Sequence, residues 1–194
     1  LDRCGEAPAS TNEAMFALLK DRLFDLDELL LLDESPREAW ALISEERVMR
    51  RVIARELRMA ANSLYTVDQE AVTADEKETD IRLRSALSMH DAVIELKLGN
   101  ANRSAKELLD TIESQLARKY LAAENCRAGA LLITLTKDRK WKHPNKKRMI
   151  NAEELLSLLN AEARRVQEAL GGNTYIHVHF LDLRPRLTTE AQVN

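Results

Sequence analysis

Glu95, Leu96 and Lys97 stand within the apolar run Ala92 to Leu98. At strand spacing the carboxylate and the ammonium, two residues apart, project from one face of a sheet. Asp80 opens the preceding run, Thr79 to Arg84, and pairing of the two runs as a meander brings its carboxylate toward Glu95. Two carboxylates in one small volume repel each other unless a cation intervenes, and hard divalent ions take such oxygen ligands, magnesium more readily than zinc. An ion held this way polarises a phosphoryl oxygen and lowers the pKa of a bound water, while Lys97 orients that water or offsets charge on the phosphate. As a bare pattern E-x-K says little. Inside a buried run it says more, because an unpaired charge there is costly. The competing readings are a structural ion pair at a sheet edge for Glu95 and Lys97, and a turn leading into the strand after Asp75 to Glu78 for Asp80.

The elements that must position these residues follow from periodicity. Met15, Leu18, Leu19, Leu23, Leu26, Leu29 and Leu30 recur at helical spacing, which predicts a helix from Asn12 to Leu32 with Ser10, Thr11 and Asn12 as cap candidates. After Ser35-Pro36, the stripe Val48, Met49, Val52, Ile53, Leu57 and Ala60 predicts a second, long helix from Ala39 to Asn62, with Arg47, Arg50, Arg51 and Arg58 pointing mainly away from it. Three strands follow: Leu64 to Val67, Thr79 to Arg84 and Ala92 to Leu98. Ser104 and Glu107 fit a capping box that starts a helix running to about Ala123, and Ala128 to Thr136 reads as a buried strand. A helix from Asn151 to Leu170, ended by Gly171-Gly172, and a strand from Tyr175 to Leu183 complete the chain. The expected fold is α/β, a mixed sheet whose first three strands form an antiparallel meander and whose fourth, reached through a helix, is parallel to one of them.

The chain has 194 residues, 45% hydrophobic and 31% charged, enough to bury a core without staples. No apolar stretch approaches the about 18 residues that cross a bilayer, so no membrane partner is expected. Cys4 and Cys126 have no C-x-x-C partner, which argues against a disulfide framework or a thiolate zinc cage and makes a reducing cytoplasm the expected compartment. The first residue is Leu1 and no secretory signal follows, so a piece of a longer protein is expected. The net charge of -3 hides an asymmetry: residues 1–36 hold nine acidic and three basic residues, and the remainder 26 basic against 23 acidic. Most of the later Arg and Lys read as solvated helix faces. The run 137–148 differs, since Lys137, Arg139, Lys140, Lys142, Lys146, Lys147 and Arg148 surround Trp141 in a segment that Pro144 and Asn145 mark as loop.

Asp80 followed by Glu95-Leu96-Lys97 on a hydrophobic strand, in a helix, three strands, helix, strand order, resembles the PD-(D/E)xK nuclease superfamily, the restriction-endonuclease-like fold. Gln115, predicted to share a helical face with Leu108, Ile112 and Lys119, adds to the likeness. The Gln-Leu-x-x-Lys-Tyr run and the strand Gly129 to Thr136 also resemble nuclease-like C-terminal domains of large bacterial proteins. The resemblance covers roughly residues 39–187, with 1–38 as an acidic helical extension or linker to an upstream chain and 188–194 as a tail. It departs from the name-giving pattern at Thr79, where that pattern has Pro. It implies phosphodiester hydrolysis with Mg²⁺ or Mn²⁺ held by Asp80, Glu95 and the Leu96 carbonyl, Lys97 beside the nucleophilic water, and Gln115 facing the same cleft. It also implies a glutamate from the first core helix. Glu45 shares a stripe with Met49, Val52 and Glu56 and is expected to turn inward; Glu46, offset by one residue, is its rival, and a solvated helix-start glutamate is the plainer alternative.

Substrate binding falls to the basic run, whose Lys and Arg would neutralise phosphates with little sequence preference, while Trp141 either stacks on an unpaired base or, more commonly for a tryptophan, packs under the loop. The acidic front helix either covers this surface or joins the domain to its upstream region. His177 and His179, two apart on the last strand, share a face and are a zinc alternative to two core histidines. The expected function is a metal-dependent nuclease domain acting on nucleic acid, DNA first, with bacterial defence as the role the resemblance suggests. A homodimer would suit cleavage of both strands. The rivals are a nuclease-fold module that binds nucleic acid or protein without turnover, and a helical interaction domain in which residues 12–62 dock a partner.

Overall fold

The computed structural model describes residues 7–69, 81–171 and 173–186. Cys4, Asp80 with the turn before it, and Gly172 lie outside the described residues. Helix α1 (Asn12–Leu29) begins at Thr11, whose side chain accepts the Ala14 N–H at 3.1 Å, and buries Met15, Leu19, Leu23 and Leu26. The long helix predicted over Ala39 to Asn62 is instead two, α2 (Arg37–Ala41) and α3 (Glu46–Met59), separated by an extended Glu45. Between the buried Trp40 and Met49, Ala41 and Ile43 are the apolar side chains that pack against the core, each partly buried, so the apolar contact that would hold one continuous helix is weak there. Val48, assigned to the apolar stripe from the sequence, is partly exposed, and Arg50, assigned outward, is buried.

Strands β1 (Tyr65–Gln69), β2 (Ile81–Ser85) and β3 (Asp91–Leu98) form the antiparallel meander. Then come α4 (Ala105–Thr111), a π-helical turn over Ile112–Ala117, and β4 (Ala128–Leu135), parallel to β3. The run expected as basic loop contains a two-residue antiparallel ladder, β5 (Trp141–Lys142) with β6 (Met149–Ile150). Helix α5 (Ala152–Leu170) leads to β7 (Tyr175–Asp182), parallel to β4, which gives a five-stranded mixed sheet in the order β1-β2-β3-β4-β7. Both α4 and α5 start in full capping boxes, Ser104 with Glu107 and Asn151 with Glu154. Helix α5 ends at Gly171, whose φ of 73° suits a residue without Cβ.

Parallel strands need helical crossovers that cover them, so β3 and β4 are buried at every position. Ile94, Leu96, Ala130 and Leu132 share one core with α1 and α3, while Val93, Leu131, Ile133 and Val178 share the other with α4, the π turn and α5. Helix α1 is tied to the sheet: Phe16 stacks on Tyr175 with centroids 5.3 Å apart, and the Arg127 N–H donates to the Asn12 side chain at 3.1 Å. It therefore packs on the sheet rather than covering the basic hairpin. No helix among the described residues is long and apolar enough to cross a membrane.

Gly99, directly after β3, donates its N–H to the Thr134 carbonyl at 2.8 Å, and a Cβ there would lie 2.5 Å from that same oxygen. Gly99→Ala is therefore expected to cost about 1–3 kcal/mol in urea denaturation. Gly129→Ala should cost less, because its nearest neighbours are the ends of Leu116 and Leu121, which can shift.

Candidate functional site

Alternation along β3 sends Ile94, Leu96 and Leu98 into the α1 and α3 core and leaves Glu95 and Lys97 together on the opposite side. Both are buried. Lys97 Nζ lies 2.5 Å from Glu95 Oε1 and 3.8 Å from Glu46 Oε2, so two carboxylates from different elements converge on one ammonium. Glu46 comes from the first turn of α3, and its other oxygen, Oε1, is ion-paired to Arg103, in the connection between β3 and α4. The four charges balance. The burial of Glu46, Glu95 and Lys97 makes that balance obligatory, since removing one partner of a buried pair leaves the other uncompensated at a cost of about 3–5 kcal/mol.

Of the two rival glutamates, Glu46 faces the cluster and Glu45 does not. Glu45 is the extended N-cap, with a side chain 63% exposed and 3.5 Å from Arg47. The stripe expected from Glu45 is thus shifted by one: Glu46 precedes Met49, Ile53 and Leu57 on the inward face, while Val52 and Glu56 lie at its margin. Leu96, whose carbonyl was offered as a ligand, is buried between Glu95 and Lys97 with its side chain in the other core. The last described pair of the β2–β3 ladder is Ile81 with Ile94, one residue from Asp80 on one strand and one from Glu95 on the other.

Gln115 is exposed, contrary to its expected place facing the cleft. The π turn explains this: a wider turn changes the angular step per residue, and the inward positions pass to Ile112, Leu116 and Ala117. Lys119 is exposed as well. Arg103 is the participant sequence reasoning missed. Its pairing with Glu46 spans 57 residues of chain, and the position just before the Ser104 cap carries no motif that would have singled it out.

The basic hairpin divides into two kinds of cation. Lys137, Lys140, Lys142, Lys146 and Lys147 are exposed and carry no ion pair among the described residues. Arg148 is engaged with Glu154 at 2.5 Å. Arg139 is structural: it donates to the carbonyls of Gly99 at 2.9 Å, Ala101, and Arg103 at 2.9 Å, and its guanidinium lies over the ring of Trp141. Trp141 is buried, the packed alternative rather than the stacking one. Arg139 thus fastens the hairpin to the same connection that carries Arg103. A cavity of about 460 Å³ opens beside it, lined by Lys137, Lys140, Trp141 and Glu153 among others.

Glu46 Oε2 and Arg103 Nε are both buried without a hydrogen-bond partner. Each such group costs about 1–3 kcal/mol, so the network is neutral yet incompletely bonded. Glu46 Oε2, without a hydrogen bond and 3.8 Å from Lys97 Nζ, is an oxygen of the kind a hard divalent cation takes. Among the described residues, no group of three or more His, Cys, Asp or Glu is arranged to hold a metal ion, and Asp80 lies outside them.

His177 and His179 belong to no group of three or more metal-ligating side chains among the described residues. Their nearest ring nitrogens are 3.4 Å apart, and His179 Nε2 lies 3.1 Å from Asp27 Oδ2, off the line of a hydrogen bond. The exposed ring of Phe24 packs against both imidazoles. Burial first, then His179 and Lys20, lower the His177 pKa to about 4, against an opposing pull from Asp27.

No family model matches the chain, and no curated protein or solved structure matches it either. The site's physics makes two testable statements. Lys97→Met should destabilise the protein by about 3–5 kcal/mol in urea denaturation, because Glu95 loses its buried counter-charge. Because His177 is harder to protonate folded than unfolded, its contribution is intact above pH 6.5 and is lost as the pH falls from there toward 4. Thermal melts across that window should show a smaller acid loss for His177→Gln than for the parent.

Proposed function

We propose that this chain is a metal-dependent nuclease domain of the PD-(D/E)xK type, hydrolysing phosphodiester bonds with DNA as the favoured substrate. The observation that carries the reading is the convergence of Glu95 and Glu46 on Lys97, with Glu95 and Lys97 two residues apart on a buried central strand. The helix, three strands, helix, strand order of α3 through β4 supports the restriction-endonuclease-like form of the fold. So does the meander of β1, β2 and β3 followed by a parallel β4.

In this reading Glu95, Glu46 and Asp80, with the Leu96 carbonyl, would hold Mg²⁺ or Mn²⁺. That ion, when bound, polarises the phosphoryl oxygen and acidifies water. Lys97 would hold the attacking water beside the phosphorus and offset the charge that develops as the water oxygen bonds to phosphorus and gives up a proton, one P–O ester bond breaks, and the leaving oxygen takes a proton. The exposed lysines of the hairpin, Lys137, Lys140, Lys142, Lys146 and Lys147, bind backbone phosphates, and Arg139 holds that hairpin in place. A second copy of the chain would serve cleavage of both strands, and an upstream region would supply recruitment in a role such as defence against foreign DNA.

A second reading, a nuclease-fold module that binds without turnover, is favoured by one observation: Lys97 and Arg103 already neutralise Glu95 and Glu46. Incubation of plasmid and single-stranded DNA with the protein in Mg²⁺, in Mn²⁺ and in EDTA separates the two. Cleavage in either metal is expected, reduced about a hundredfold or more in Lys97→Ala. Binding with no cut under any condition would establish the second reading.

A further inference from the structure

Resting on that reading for the choice of nucleic acid alone, we infer that the cavity of about 460 Å³ beside the basic hairpin is a subsite for a terminal phosphomonoester, the phosphate at the end of a strand or on a free nucleotide. Its place in the sheet comes first. Leu135 ends β4, Arg184 follows β7 by two residues, and both line the cavity, so it opens at the carboxyl edge of two parallel strands. Helix α5, which connects those strands, starts at the same place, with Ala152 and Glu153 in the lining. A crevice at that edge, beside the start of a crossover helix, is where open α/β sheets take phosphate-bearing ligands. The volume suits a small ligand or the end of a strand rather than a duplex. None of Glu46, Glu95 and Lys97 lines it, so the subsite is separate from the charged cluster on β3.

Donors from two elements meet in the lining. Lys137 and Lys140 are exposed and carry no ion pair among the described residues. The capping box of α5 uses the N–H groups of Asn151 and Glu154, while those of Ala152 and Glu153 have no partner within the helix. Trp141, 2% exposed, forms part of the wall, and its Nε1 is buried without an acceptor. Arg139 fixes that wall, its guanidinium lying over the indole while it donates to three carbonyls. Of the two carboxylates in the lining, Asp138 is ion-paired to Arg184 at 2.7 Å, and Glu153, exposed in the first turn of α5, opposes an anion. Two ammonium groups and two backbone N–H groups are more than the two free oxygens of a phosphodiester inside a strand can engage. A terminal phosphate offers three oxygens and close to two negative charges at neutral pH.

Binding to the full chain in EDTA tests this apart from any cleavage. Oligonucleotides of one sequence, carrying a 5′-phosphate, a 3′-phosphate or hydroxyls at both ends, are compared by fluorescence anisotropy. One phosphorylated form should bind about fivefold to tenfold more tightly than the hydroxyl form. Lys137→Gln with Lys140→Gln should erase that difference, whereas Lys146→Gln with Lys147→Gln, outside the lining, should weaken all three alike. Glu153→Gln should widen it by about twofold to threefold. Deoxyadenosine 5′-monophosphate separates the two sources of the phosphate through the indole N–H resonance of Trp141, assigned with Trp40→Phe. A saturable shift with the nucleotide marks a free-nucleotide site, a shift with the phosphorylated oligonucleotide alone marks a strand end, and either upholds the subsite. Equal affinity for all three oligonucleotides with no indole shift, or a difference that survives loss of both Lys137 and Lys140, would overturn the inference. A protein that holds the phosphorylated end in EDTA yet cuts no DNA in either metal would remove the nuclease reading and leave the subsite. Cleavage in Mn²⁺ with equal affinities and no indole shift would remove the subsite alone.

Discussion

A carboxylate and an ammonium on a strand buried at every position constrain much of the rest of the molecule. Glu95 and Lys97 occupy two of the eight positions of β3, all of them buried. Their attraction to each other does not repay the full cost of taking both from water. A pair of apolar residues at those positions would fill the space at lower cost. The surroundings compensate in a specific way, with the first turn of α3 supplying a second carboxylate and the connection after β3 a second cation. Each element beside the pair carries a charge of the sign that the previous one leaves in need.

That compensation depends on backbone placement far from the charges themselves. Gly99 lies so close to the Thr134 carbonyl that a side chain would collide with it, and this close approach sets where the chain leaves β3. Arg139 then holds the next residues by three carbonyls while resting on a buried Trp141, and the capping box at Ser104 fixes where α4 begins. Arg103 is thus confined from both sides by interactions that do not involve its own side chain. The basic run contributes the partly buried guanidinium of Arg139 to this scaffold and leaves its lysines outward.

The sheet was legible because its signals are local: alternation in β2 and β3, a continuous apolar run in β4, and polar connectors between them. The capping box at Ser104 was legible for the same reason. Residues that depend on a phase were not. Whether Glu45 or Glu46 faces inward turns on the residue at which α3 begins, and by residue type Ser44 suits the cap, whereas the helix begins one residue later, after Glu45, with no side-chain cap. Gln115 was misplaced because helical periodicity assumes a constant step, which the π turn breaks. Arg103 was out of reach for a different reason, its partner lying on a distant element. The basic run was readable as charge, but not the division of labour within it, because the commitment of Arg139 to three carbonyls is a tertiary fact.

The incomplete bonding of the charged network bears on what it is for. A network retained only for structure gains by satisfying every buried donor and acceptor, since each orphan is a desolvation cost with no return. Orphans occur elsewhere as well, at Arg22, Asn100, Trp141 and Thr174 for example, but two of them, Glu46 Oε2 and Arg103 Nε, belong to the two partners of one ion pair beside the buried Lys97. An unmet acceptor on a buried carboxylate is a position where a cation lowers the energy of the fold, and an unmet donor on the adjacent guanidinium is one where an anion does. Glu46 Oε2 is at the same time 3.8 Å from Lys97 Nζ, so any second cation there would compete with that ammonium; in the proposed nuclease reading, that competition is what a divalent ion would have to win.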